Sequence, residues 1–198
     1  MNCVLKIVAS ALLFFVNHCP AQNVVDSTTS TNFNFLILVK SKDENTLGKA
    51  EIVVKVIDKR TEVETQTIRF VSDFILKSES YIQNRNNRYY PANVRIVSDE
   101  NDCGDLIVAD LNFDGREDLA LKREEGGNGG PLYNYYLQTP SRNFIFDEYL
   151  TNEMSYFPDF INSQENTLHV TVRVDSRSVE GITYKYENSR KVWSRYPR

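Results

Sequence analysis

The sequence predicts an all-β fold, built as a single, mainly antiparallel domain of propeller-like or sandwich-like type. Short bursts rich in Phe, Ile, Val and Thr recur from Phe33 to the end of the chain. Turn-prone or charged residues separate these bursts, as in Lys42-Asp43-Glu44-Asn45 and Asp58-Lys59-Arg60. Apart from an apolar run at the N-terminus, no long stretch carries the 3.6-residue period of an amphipathic helix.

That N-terminal run is Ile7 to Val16, preceded by the cationic Lys6 and followed by Asn17-His18-Cys19-Pro20-Ala21. A basic start, a short apolar stretch and small residues at the end have the form of a secretory signal peptide over residues 1–21. The run is too short to cross a bilayer, which takes ~20 apolar residues. Lipidation at Cys19 is disfavoured, because Asn17 and His18 stand where small residues are wanted. The expected destination is therefore periplasmic or secreted. Residues 22–32, polar and rich in Ser and Thr, read as a flexible tail, and 33–198 as the β domain.

Within that domain, strands are expected at Phe33 to Val39, Ala50 to Ile57, Thr67 to Val71, Val94 to Val97, Leu106 to Ala109 and Leu119 to Leu121. Ser80 to Tyr90 is polar and ends at Pro91, a pattern open to a short helix or a loop. Leu132 to Leu137 and Asn143 to Phe146 flank the turn sequence Gln138-Thr139-Pro140-Ser141-Arg142 and predict a hairpin. Thr167 to Val174 alternates strictly, as a half-buried strand does. Val179 to Tyr186 and Lys191 to Tyr196 complete the set, turning through Glu187-Asn188-Ser189-Arg190.

Composition removes several function classes. The chain has 198 residues, 25% of them charged, and a net charge of −4. An acidic balance argues against tracking nucleic-acid phosphates. Export leaves Cys103 as the one cysteine and His169 as the one histidine. An intramolecular disulfide and a Cys/His zinc site are then impossible in a monomer. His169 lies within an alternating strand with no nucleophile motif beside it, and reads as a solvent-facing strand residue.

The most informative stretch is Asp110-Leu111-Asn112-Phe113-Asp114-Gly115-Arg116-Glu117-Asp118. Oxygen side chains stand at positions one, three, five and nine, and Gly at six, as in a calcium loop whose seventh residue offers its carbonyl. Asp110, Asn112, Asp114, Arg116 (through its backbone) and Asp118 are the expected ligands. Asp and Asn beside Gly also make ordinary turns, but carboxylates this closely spaced repel one another without a cation. Position twelve is Leu121 instead of the bidentate Glu of an EF-hand, and the flanks read as strands. A β–loop–β site follows, with Glu117 facing away from the ion and Phe113 packing into the core. Upstream, Asp99, Glu100, Asp102 and Asp105 can add a ligand or simply solvate the edge.

Gly126-Gly127-Asn128-Gly129-Gly130-Pro131 follows, then Tyr133, Tyr135 and Tyr136. A phosphate loop ends in Gly-Lys-Ser/Thr and opens a helix, whereas this one ends in Pro and opens a strand. Gly127, Asn128, Gly129, Tyr133 and Tyr135 form a candidate partner-binding set, the alternative being a hairpin loop with core tyrosines. Alternation sends Tyr133 and Tyr135 to one face and Tyr136 to the other. Trp193 reads as a core residue.

The loop pattern is similar to that of FG-GAP or integrin-type propeller blades. The segment from Asp105 to about Leu150 resembles a bacterial family that carries DFNFDGxxDLA, then GGxGGPxYxxYLY, then a Pro-centred turn and a Phe-rich strand. Here these read ADLNFDGREDLAL, GGNGGPLYNYYLQ, TPSRN and FIFDEYL. Its members are exported calcium-binding proteins related to periplasmic inhibitors of C-type lysozyme. One of them acts as an immunity protein against a lysozyme-like effector delivered by a type IV secretion system. The resemblance implies an exported, non-enzymatic calcium-binding protein that inhibits a lysozyme-like peptidoglycan hydrolase. The alternatives are a calcium-dependent glycan-binding or adhesion module, or a glycosidase using two of the many carboxylates.

Overall fold

Short, alternating apolar segments can bury themselves only by pairing edge to edge and stacking face to face. The computed structural model describes residues 22–24, 29–41, 48–75, 87–93, 95–96, 103–126, 130–175 and 177–197. Among these, β1 (Gln22–Val24), β2 (Phe33–Ser41), β3 (Gly48–Asp58) and β4 (Val63–Ile75) form an antiparallel meander. A single parallel pair, Asp73 with Glu124, joins β4 to β7 (Asp118–Glu124). Around β7 run β5 (Asn87–Tyr89), β6 (Leu106–Ala109), β8 (Leu132–Gln138) and β9 (Phe144–Phe146). All of their pairings are antiparallel except β5 with β6. A second, four-stranded antiparallel sheet contains β10 (Phe160–Asn162), β11 (Thr167–Arg173), β12 (Val179–Glu187) and β13 (Val192–Pro197).

The described strands stack in three layers, with β6 to β9 in the middle. Leu106, Val108, Leu119, Leu121, Tyr136 and Phe144 face Phe33, Phe35, Ile52, Val54 and Val56 of the meander. From the opposite face, Ile107, Ala109, Ala120, Tyr133 and Tyr135 pack against Ile161, Leu168, Val170, Ile182 and Tyr184 of the second sheet. Both faces of the middle layer are interior, which explains why β6 reads as the unbroken run Leu-Ile-Val-Ala instead of alternating. This is the face-to-face packing of a sandwich, without a closed barrel.

Several polar groups in the middle layer are paired. Lys122 and Asp105, both buried, approach to 2.6 Å, and the Lys122 N–H donates to the Asp105 carbonyl at 2.9 Å. The side-chain amide of Gln66 on β4 exchanges two 2.7 Å bonds with the backbone of Phe144, acting as a one-residue strand along the edge of β9.

Several expectations need correction. The stretch expected as a strand at Val94 to Val97 contributes, in its described part, one isolated bridge from Arg95 to Phe160. Bonds from Asn93 N–H to the Ile161 carbonyl and from Ile96 N–H to the Asp159 carbonyl lash it to β10 without a regular ladder. Residues 22–32 are not a free tail where they are described: β1 pairs with Leu36–Leu38, and Thr29 and Ser30 are buried. His169 is half-buried, stacked on Phe160, with its ring nitrogens at 3.1 and 3.0 Å from the Thr167 and Thr183 hydroxyls. Trp193 does pack against the second core, as expected, half-buried beside Tyr186. A π-helical turn, Leu150–Met154, follows β9 and is anchored by the Leu150 N–H on Asp147 Oδ1. The segment 1–21 lies outside the described residues, as does most of Ser80 to Tyr90, of which 87–89 form β5.

Candidate metal centre

The pairing of Ala109 with Asp118 closes the ladder between β6 and β7, so residues 110–117 form the loop that crosses between them. The chain must reverse there, and it does so with Phe113 at φ 61° and Gly115 at φ 80°. Glycine meets this demand at position 115 without the strain of a Cβ. Phe113 tolerates it while packing against the second core, as expected from its place in the pattern.

Two of the oxygen side chains turn toward one point. Asp110 Oδ1 and Asn112 Oδ1 both accept from the Asp114 N–H, at 3.1 and 3.2 Å, so these two oxygens converge on one point. Asp110 Oδ2 accepts from the Gly115 N–H at 2.9 Å, and Asp114 Oδ1 from the Arg116 N–H at 3.0 Å. The other Asp114 oxygen holds the Arg116 guanidinium, whose Nε donates to the Gln138 carbonyl at 3.0 Å.

Asp118 is the anchor of the arrangement. It is 0% exposed, and its carboxylate accepts from the N–H groups of Leu111 (2.9 Å), Asn112 (3.2 Å) and Gln138 (2.8 Å). Burial pushes its pKa up to about 8, against the pull of those donors, and the Asp114 charge adds to the rise. Burial likewise raises Asp110, with Asp114 again contributing. A cation between these groups would relieve both effects.

Glu117 faces the other way, as position eight should. It accepts from the Ser30 hydroxyl at 2.7 Å, the Thr31 N–H at 2.6 Å and the Asn32 side chain at 3.1 Å. Burial pushes this carboxyl up, but the three partners outweigh it and hold the pKa below the ordinary value.

The residues present suit a hard cation, since every donor that the loop brings together is an oxygen. Among the described residues no three acidic, His or Cys side chains converge as a ready-made metal cluster. The two oxygens that do converge belong to one carboxylate and one amide, and Asp118 is drawn onto N–H groups. Beside the loop lies a cleft of about 240 Å³ lined by Asp114, Arg116, Ile145, Asp147, Tyr186 and Lys191. Tyr186, Lys191, Asp147 and the Gln138 backbone carry no signal in the local sequence pattern, because distant segments deliver them.

The tyrosines of the expected partner-binding set are core residues. Tyr133 and Tyr135 are 0% exposed, with hydroxyls donating to the Gly104 carbonyl (2.9 Å) and the Tyr156 carbonyl (2.6 Å). The second sheet covers the face to which alternation sends them, so neither reaches a partner. Tyr136 does lie on the opposite face, against Phe146. Gly127, Asn128 and Gly129 lie outside the described residues. The neck of their loop is tight: at Gly126, φ 67°, a Cβ would stand 1.7 Å from the Gly130 carbonyl oxygen.

No family model matches the chain, and no curated protein matches it. Among solved structures, it is similar to a Xanthomonas type IV secretion system related protein. The likeness is one of fold. The two share 20% identity and superpose with a TM-score of 0.56 over 89% of this chain and 81% of that one. Among the described residues, no helix is long and apolar enough to cross a membrane.

Proposed function

We propose that this chain is an exported calcium-binding protein that acts by binding another protein, as a periplasmic inhibitor or immunity protein of a lysozyme-like peptidoglycan hydrolase. The observation that carries the metal is the convergence of Asp110 and Asn112 oxygens within a strand-flanked loop, closed by the buried Asp118 and bent at Gly115. Asp110, Asn112, Asp114, the Arg116 carbonyl and Asp118 supply the protein oxygens, and water completes a shell of 6–8. The ion's work is structural: it neutralises the loop and stiffens the wall of the neighbouring cleft. The type IV secretion connection of the structural neighbour is compatible with a role against a secreted effector.

Calcium binding is tested by calorimetry and by melting. Chelation lowers the melting temperature and added calcium restores it; no bound calcium and an unchanged melting curve remove the metal. The inhibitor role is tested by lysis assays, in which the purified protein suppresses at least one lysozyme-type enzyme. Silence across a panel that includes secreted effectors removes it. The cleft beside the loop favours one alternative, calcium-dependent glycan binding, which a glycan array separates from inhibition.

A further inference from the structure

Arg116 has two roles in one residue. Its carbonyl stands at position seven of the loop, while its guanidinium folds back onto the carboxylate at position five, Asp114. The Nε bond to the Gln138 carbonyl ties the side chain to the end of β8. A divalent ion that draws on Asp114 meets this guanidinium there. We infer that Arg116 is an internal counter-ion of the loop, which competes with calcium for the Asp114 carboxylate and so sets the affinity of the site.

This inference rests on the calcium reading above. Two effects act in the same direction. The ion pair, with side chains 35% and 20% exposed, must be given up on binding. A positive charge beside Asp114 also repels a divalent cation that draws on the same carboxylate. Both weaken the site toward the sub-millimolar and millimolar range typical of extracellular calcium modules. Both also shrink as salt screens them.

The test is calorimetric titration of calcium into the wild type and into Arg116→Gln, Arg116→Lys and Lys191→Gln at low ionic strength. Each substitution at 116 leaves the backbone carbonyl in place. Arg116→Gln is expected to bind calcium about threefold to tenfold more tightly. The same variant should melt lower than the wild type in chelator, because Asp114 then loses its partner. Arg116→Lys keeps the charge but loses the planar fork, so an intermediate gain supports displacement of a specific contact. Lys191 lines the same cleft, and its variant should stay within about twofold of the wild type.

Equal or weaker binding by Arg116→Gln overturns the inference and leaves the calcium site standing. Equal tightening by Arg116→Gln and Lys191→Gln overturns it too, since bulk charge then accounts for the effect. If no variant and no wild type binds calcium at millimolar concentration, the calcium reading itself falls. Circular dichroism of each variant confirms that it is folded before titration.

Discussion

Replacing Asp118 by Asn separates the structural duty of this carboxylate from its duty to a metal. The change is nearly isosteric, yet it turns one of two acceptors into a donor. In the wild type the carboxylate receives three N–H groups, from Leu111 and Asn112 on one oxygen and Gln138 on the other. The amide does best by keeping its oxygen toward the Leu111 and Asn112 pair. Its NH2 group then confronts the Gln138 N–H, which is left unpaired in the interior. A buried donor without a partner costs ~1–3 kcal/mol, and above a pH of about 8, where the carboxylate is charged, two charge-assisted bonds that become neutral lose ~1 kcal/mol each. Removing a buried charge offsets part of this, because burial alone pushes Asp118 upward. In chelator the expected net loss is about 2–3 kcal/mol, which is roughly a 1–2 M shift of the urea midpoint. With calcium the gap from wild type widens, since the variant no longer shares in the ion's stabilisation. The single tryptophan, Trp193, reports unfolding by fluorescence, and circular dichroism gives an independent curve. A chelated variant within about 0.5 kcal/mol of wild type would refute the view that Asp118 clamps the loop to β8.

The remaining predictions concern the frame around the site. Gly126→Ala is expected to cost about 2 kcal/mol or more in urea unfolding, since its Cβ meets the Gly130 oxygen at 1.7 Å. Gly115→Ala has nothing within 4 Å and should cost only about 1 kcal/mol, from its φ of 80°. Lys122→Met removes the buried cation that faces the Asp105 carboxylate and should lose roughly 3–5 kcal/mol, most of which the double variant with Asp105→Leu recovers. Asp58 is held below the usual carboxylate range by the Arg60 N–H and, further, by the Arg142 guanidinium, 3.1 Å from its carboxylate. A depressed carboxyl stabilises above its unfolded value, roughly 3.9, and that contribution is lost as pH falls through the lower folded value. Asp58→Asn should therefore reduce stability at pH 7 and narrow the difference between neutral and acid melting temperatures.

Local pattern sufficed for what is locally determined. The alternation in Phe33 to Val39 and Thr167 to Val174 marks strands, because a strand half-buried in one layer repeats every two residues. The oxygen spacing of Asp110 to Asp118 is equally local, and both Glu117 and Phe113 face as their positions imply. What could not be read depends on distant chain. Tyr133 and Tyr135 share a face as alternation requires, but that face is interior because residues 160–184 lie over it. The polar residues 29–32 look like a tail, yet Ser30 is secured by Glu117, 87 positions later. The π-helical turn at Leu150–Met154 is too short for any periodicity to show. Its one local sign is Asp147, three residues ahead of Leu150, whose carboxylate receives the Leu150 N–H.

The loop's neighbours determine how far the effect of an ion would travel. Asp118 fastens the loop to Gln138 at the end of β8, within the middle layer. Glu117 fastens its other side to residues 30–32, directly ahead of β2, in the meander. The cleft wall continues through Tyr186 at the end of β12 and Lys191, and so reaches the second sheet. One loop thus touches all three layers, and each layer is joined to the next by a shared apolar core. A cation held there would stabilise the packing of the whole stack, whereas a turn pinned only to its own hairpin would affect that hairpin alone. Calcium should therefore protect amides in β2, β8 and β12 together in hydrogen exchange. Protection confined to residues 109–119 would show that the loop is energetically separate from the layers it touches.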